Sequence, residues 1–360
     1  MQPNLTIDSI IARPVVTPLA RPIRTAVGTV ESAPLVLIDV RTKEGVIGSA
    51  YIFAYTGAAL GGLTRLVRDV GEELAGRVAA PRDLMCFFDR RFRLLGWQGL
   101  VAMAVSGIDM AVWDALGKAA GIPVAALLGA SPRQVQAYDS YGVIDPRRDL
   151  QLVTTSVERG FTAIKIKLGD GDLETDVEAV RLVREAIGSS VRLMVDYNQA
   201  LDRVEAVRRI RALQSYDLYW VEEPVKAEDH LGHAAVRRAV ATPIQTGENW
   251  WFPADMAASI GSAASDFAMP DLMKIGGVTG WIDAAAMASS AGMPISSHIF
   301  MEASAHVMAA SPTAHYIEHL DLASAVLSEP MHPKGGTIQA TGNGLGLCWD
   351  EDAVLRYSAV

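Results

Sequence analysis

The sequence predicts an α/β protein, a modified TIM barrel of the (β/α)7β type joined to an α+β N-terminal capping domain. Three observations predict it. Eight short apolar runs alternate with helical stretches after about residue 133, the pattern of a parallel sheet closed into a barrel. The runs are nearly continuous in apolar residues, as strands buried on both faces require. Ionisable residues follow most of the runs in one register, which gathers their side chains at the C-terminal mouth of a barrel.

Taken in order, the first 60 residues read as strands. Ala33 to Val40 is mostly apolar and β-branched, Thr42 to Gly45 reads as a turn, and Val46 to Phe53 completes a hairpin. From Ala58 to Ala120 apolar residues recur at helical spacing until Gly121-Ile122-Pro123 stops the last helix. Residues 1–132 are therefore expected to form the capping domain. The barrel runs fall at 135–137, 162–166, 191–195, 216–221, 243–245, 267–269, 293–295 and 314–317, giving a barrel domain over 133–330. The glycine-rich stretch 331–360 lacks a helical period and is expected to return to the capping domain.

A chain of 360 residues, 50% hydrophobic and 20% charged, is long enough for one large core with a smaller satellite and too polar for a membrane protein. The net charge of −9, without long basic runs, argues against nucleic acid and anionic membranes as partners. An anionic substrate then needs isolated lysines or a metal to hold it. Cys86 and Cys348 are too few for a disulfide framework, and no export signal opens the sequence, so the expected compartment is the cytoplasm. The Asn4-Leu5-Thr6 sequon is then without consequence.

Asp196, Glu222 and Glu248 each follow an apolar run, in VDYNQ, WVEEP and QTGENW, at equal intervals of 26 residues. Successive barrel units would converge them on one point, where three carboxylates ionise together only around a cation, and hard oxygen ligands suit Mg²⁺. The register continues with Asp271, His298 and Glu318. Any one of these alone reads more simply as a helix cap or loop carboxylate; six in register do not. Lys165 and Lys167, two apart on one strand, point to the same face. Burial and like charge would lower the pKa of one of them enough to make it a base.

The KxK pair, the Asp/Glu/Glu set and the Asp…His dyad resemble the enolase superfamily, specifically its mandelate racemase branch. The likeness covers nearly the whole chain, in TAVGTV (25–30), APLVLID (33–39), SGIDMAVWDALGK (106–118), VQAYDS (135–140), MPDLMKIGGVTGW (269–281) and SPTAHYIEHLDLA (311–323). The resemblance implies that Asp196, Glu222 and Glu248 bind Mg²⁺, and that Lys167 and His298 are opposing bases. It implies that Asp271 orients His298, that Lys165 neutralises the substrate carboxylate and depresses the Lys167 pKa, and that a protonated Glu318 donates to an enediolate oxygen. Ser140 and Asn198 become further substrate contacts. The expected ligand is a small-molecule carboxylate, and a homo-oligomer is expected because barrels of this branch commonly associate.

Tyr141, Ile166, Met301 and Ala303 depart from the branch pattern and bear on the substrate. Val27, Val30 and Tyr55 keep an apolar character suited to an aryl group, and Val27 and Val30 offer no partners for sugar hydroxyls. The reading is a racemase of an aryl 2-hydroxy acid; an acid-sugar dehydratase sharing the first step is the alternative. Two other readings are weaker. His315-Tyr316-Ile317-Glu318-His319 matches an inverted zinc-protease pattern, which needs a helix, and a non-catalytic carboxylate-binding barrel would not retain both bases and all three ligands. His230, His233, His306 and His332 read as surface or packing residues, and Trp250 and Trp251 as wall or core.

Overall fold

The computed structural model describes residues 4–25 and 28–359. Three antiparallel strands open the chain, β1 (Ile7–Thr25), β2 (Gly28–Thr42) and β3 (Ile47–Phe53), ordered β1-β2-β3. Helices α1 (Gly57–Leu74), α2 (Pro81–Phe92), α3 (Leu100–Ala120) and the short α4 (Val124–Leu127) follow. Sequence reading took the first 60 residues as strands and bounded the β2–β3 hairpin, but gave no bounds for the long β1, which carries Pro14 and Pro18. Proline survives there because β1 is an edge. Val16 N–H, of the same parity, points away from β2 to Tyr357 O, so the missing N–H groups of both prolines lie on the unpaired side.

By length and composition α3 is apolar enough to cross a membrane, yet 83% of that window is buried. It is the central helix of the molecule, with the sheet on one side and barrel helices on the other. Its approach to β3 is so close that a Cβ on Gly48 would stand 2.0 Å from Ala111 O, which only glycine allows. Its two buried acids are structural: Asp109 accepts from Thr279 N (2.9 Å), and Asp114 accepts from Ser49 N and Leu345 N (both 2.6 Å). Much of the SGIDMAVWDALGK motif therefore serves the contact between cap and barrel.

The barrel runs β4 (Gln134–Val143), α5 (Pro146–Glu158), β5 (Ala163–Lys167), α6 (Leu173–Ile187), β6 (Arg192–Asp196), α7 (Arg203–Leu213), β7 (Leu218–Glu222) and α8 (His230–Ala239). It continues through β8 (Ile244–Thr246), α9 (Phe252–Gly261), β9 (Phe267–Ala268), α10 (Leu272–Ile275), α11 (Gly277–Ser290), β10 (Ile295–Ser297), α12 (Met301–Ala310) and β11 (Ala314–His319). All eight strands are parallel, and pairing of β11 with β4 closes the ring. Seven helical crossovers join eight strands, the (β/α)7β order. Aspartates start the helices on the rim: Asp172, Asp202 and Asp229 each accept from a backbone N–H in the first turn of α6, α7 and α8, which satisfies donors a helix start leaves free.

The remaining chain is shared between the two parts. β12 (Thr337–Gln339) pairs antiparallel with β4, and after α13 (Glu351–Arg356) residues Tyr357 to Ala359 bond to β1. Inside the barrel, below the mouth, Tyr138, Ala163, Met194, Trp220, Met269 and Tyr316 form a separate buried cluster, one of the side-chain layers that fill such barrels.

Candidate active site

Above that cluster the strand ends carry the polar residues picked out from the sequence. Asp196 and Glu222 are the last residues of β6 and β7, paired side by side, and Glu248 follows β8. One carboxylate oxygen from each lies within 4.8 Å of the others, and all three residues are buried. Burial pushes the Glu222 carboxyl up to about 8 even against the pull of Lys165, because Asp196 and Glu248 add like charge. Three buried acids that cannot comfortably share ionisation are what a divalent cation would relieve.

Lys165 and Lys167 end β5 on the same inner face. Lys165 Nζ, fully buried, stands 2.8 Å from Glu222 Oε1 and 2.9 Å from Glu318 Oε1. Lys167 Nζ is 2.5 Å from Asp196 Oδ2. The expectation of a depressed lysine pKa is corrected here. Burial works to lower both ammonium groups, but Glu222 and Glu318 hold Lys165 well above its usual value and Asp196 raises Lys167. Opposite charges brought by neighbouring strands outweigh the like charge two residues away.

His298 follows β10 and meets Asp271, which follows β9, through a backbone bridge and a side-chain bond of 2.6 Å from Nδ1 to Oδ2. Asp271 also caps α10 by accepting from Met273 N at 2.6 Å, so the bland and the functional readings of this residue hold together. Its carboxylate accepts a hydrogen bond from Nδ1–H and leaves Nε2 facing inward, 3.2 Å from Glu248 Oε2 and 3.7 Å from Glu318 Oε2. Burial lowers the imidazole pKa, but Glu248, Glu318 and Asp271 together raise it to about 9.

Glu318 ends this circuit and requires a second correction. A protonated donor was expected, but Lys165 and His298 overcome burial and bring its pKa to about 2. It accepts from Ile299 N at 3.2 Å and from Lys165. Among the described residues Ser140 Oγ is buried without a hydrogen-bond partner, and it is near enough to Glu318 to favour the charged carboxylate. Asn198, at φ 43°, donates from its backbone and side chain to Asp196 at 2.7 and 3.0 Å. From the cap, Val30 is half-buried on β2, while Tyr55, at φ 58° and partly exposed, lies against Phe53 and under Lys274. Val27 lies outside the described residues.

Two family patterns match the chain: "Mandelate racemase / muconate lactonizing enzyme, N-terminal domain" over residues 7–129 and "Enolase C-terminal domain-like" over 149–353. The chain belongs to the mandelate racemase branch of the enolase superfamily. Within the superfamily, it is 54% identical, with a TM-score of 0.98 and full coverage of both chains, to the crystal structure of an enolase from Bradyrhizobium complexed with magnesium and mandelic acid. L-talarate dehydratase from Polaromonas sp. JS666, complexed with Mg and L-glucarate, gives 29% identity and a TM-score of 0.88, over 99% of this chain and 98% of that one. L-talarate/galactarate dehydratase from Salmonella typhimurium is 33% identical, over 93% of this chain and 87% of the relative.

Magnesium is the cofactor of this superfamily fold, and the buried all-oxygen set of Asp196, Glu222 and Glu248 fits it. The zinc-protease reading fails on geometry. His315 and His319 lie on strand β11, and they bond to Tyr219 OH at 2.7 Å and to Asp139 Oδ1 at 2.8 Å. His233 and His306 are buried packing residues, as expected.

Sequence reasoning missed Gln245, which donates to Glu222 Oε2 at 3.0 Å, and a chain formed by Glu223, Asn249 and Lys274. Glu223 and Asn249 each adjoin a member of the acidic trio in the sequence. That adjacency was the available signal.

Proposed function

We propose that this superfamily member is a Mg²⁺-dependent racemase of a 2-hydroxy carboxylic acid bearing an aryl group. The observation that carries the reading is the placement of two proton-transfer groups, Lys167 after β5 and the Asp271-held His298 after β10, on either side of one carboxylate trio. An α-proton beside a carboxylate is hard to remove because a second negative charge develops next to the first, so stabilising that charge is the main task.

Asp196, Glu222 and Glu248 would hold the Mg²⁺. Bound there, the ion supplies a Lewis acid for the substrate carboxylate and hydroxyl, and positive charge that the trio otherwise draws from Lys167 and His298. Lys167 then takes the α-proton from one enantiomer and His298 Nε2 returns one to the opposite face, or the reverse. Lys165 neutralises the developing dianion. Glu318, held ionised by Lys165 and His298, keeps the Lys165 ammonium in place beside the developing charge. Support for the aryl group comes from the Tyr55 ring of the cap, seated beneath Lys274, and from the mandelic acid in the similar Bradyrhizobium structure.

The alternative, an acid-sugar dehydratase, draws support from the 33% identical Salmonella relative. It shares proton abstraction and then expels a 3-hydroxyl with His298 as the acid. Proton NMR of (R)- and (S)-mandelate with enzyme and Mg²⁺ in D₂O, with polarimetry, separates the two. Exchange of the α-proton with loss of rotation is expected. Lys167→Ala should abolish exchange from one enantiomer and His298→Asn from the other, each by about 10²–10⁴-fold. No exchange with mandelate, and 2-keto acid from galactarate, would transfer the assignment to the dehydratase.

A further inference from the structure

Three lysines approach the carboxylate trio, and one of them differs from the others. Lys165 and Lys167 bond directly to carboxylates. Lys274, on α10, is only 5% exposed, yet among the described residues no carboxylate lies within ion-pair distance of its ammonium. Its Nζ instead donates to Asn249 Oδ1 at 2.6 Å and sits over two rings, 4.8 Å from the Tyr55 centroid and 5.7 Å from that of Trp251. A buried ammonium satisfied by one amide and two aromatic faces is costly unless its position matters.

The amide explains the position. Asn249 Nδ2 donates to Glu223 Oε2 at 2.7 Å and to Glu248 Oε1 at 3.2 Å. An ammonium can only donate and a carboxylate can only accept, so Lys274 on one side and the two acids on the other select the same orientation of the amide. Glu223 is itself held by the backbone. It lies at φ 35°, with its N–H on Gln245 O at 3.1 Å and its carbonyl accepting from Gln199 N at 2.8 Å. Glu248 is thus fixed through Oε1, while Oε2 points inward to His298. A lysine bonded straight to Glu248 would neutralise it; one acting through an amide orients it without taking its charge.

We propose that Lys274 is a positioning residue for the metal site, fixing Glu248 through Asn249 and seating Tyr55 of the capping domain on the same ammonium. This rests on Glu248 being a Mg²⁺ ligand. Partners behind a metal ligand are worth 10–100-fold in metal affinity. The sign is diagnostic, since removing a nearby positive charge would by Coulomb's law strengthen binding of a dication.

The test is calorimetric titration of EDTA-stripped, full-length protein with MgCl₂, alongside thermal melting of each metal-free variant. Lys274→Met and Asn249→Ala should each weaken Mg²⁺ binding about 10–100-fold, the double variant should be no weaker than Asn249→Ala alone, and Lys274→Arg should retain most of the affinity. Asn249→Ala carries the test if Lys274→Met does not fold. Unchanged or tighter Mg²⁺ binding in both variants, with or without a lower melting temperature, overturns the proposal. Glu248→Gln separates the two levels: wild-type affinity in that variant would refute the ligand reading itself, whereas loss there with none in Lys274→Met and Asn249→Ala refutes only the positioning role.

Discussion

Two layers of side chains inside the barrel come from the same passages of chain, two residues apart, and they are held together by opposite means. Tyr138, Ala163, Met194, Trp220, Met269 and Tyr316 fill the lower layer. Ser140, Lys165, Asp196, Glu222, Asp271 and Glu318 stand two residues further on in each case, in the inward direction that strand periodicity repeats. The lower layer is aromatic and close-packed, with Tyr138 edge-on to Trp220 at 5.6 Å between centroids. Apart from Ser140 the upper layer consists of ionisable groups, and its carboxylates help pull both lysines and His298 above their ordinary pKa values. One layer supplies stability, the other gathers charges that fit a cation, and the lower layer gives the upper one a rigid floor.

Substitution at matched positions should break this contrast. The largest effect is expected below: Trp220→Ala should cost about 3–5 kcal/mol in urea unfolding, read from the midpoint at constant slope. Two residues along, Glu222→Gln should leave metal-free stability within about 1 kcal/mol, because it removes a carboxyl that burial and its neighbours already disfavour. Its effect appears on adding Mg²⁺. Wild-type protein should gain about 2.7 kcal/mol at a hundred times the dissociation constant, and the variant almost nothing at the same concentration. A full gain in the variant would remove Glu222 from the metal site.

The smallest effect sharpens the comparison by testing a buried ionisable group outside both layers. His306 is buried in α12, accepts from Ala125 N at 3.3 Å, and burial lowers its pKa to about 4. The unfolded chain, with an ordinary histidine near 6.5, binds the extra proton first. Stability is therefore complete above about pH 6.5 and falls as pH drops toward 4. Between pH 7 and 5.5 His306 should account for about 1 kcal/mol of the loss, and His306→Asn should lose less than wild type by that amount. An equal pH dependence in the variant would place the acid sensitivity elsewhere.

The upper layer was legible because a charged residue directly after an apolar run is conspicuous, and six in one register identify a barrel mouth. The lower layer was legible only as strand, since nothing in LYWVE marks Trp220 as inward-facing before the sheet closes. The lysine pKa directions were misread because the deciding partners, Glu222, Glu318 and Asp196, come from other strands, whereas the sequence displays only the neighbour two positions away. Lys274 and Asn249 escaped for the same reason: 25 residues separate them, and their bond exists only once the ends of β8 and β9 lie side by side. In the cap, the prolines of β1 hid the bounds of a strand whose proline positions face away from β2.

The pairing that closes the barrel, Ile317, Glu318 and His319 of β11 against Ala137, Tyr138 and Asp139 of β4, also sets a timetable. During synthesis β4 leaves the ribosome about 180 residues ahead of its neighbour, at speeds of roughly 5–20 residues per second, so the first barrel strand waits on the order of ten seconds or more for the last. Until then Lys165 lacks Glu318 and the ring has two open edges, both of the kind that invites pairing with a stranger. The nascent protein is therefore most in need of protection just before its final strand arrives, and a ribosome pause within residues 290–320 would prolong the moment at which it is least able to protect itself.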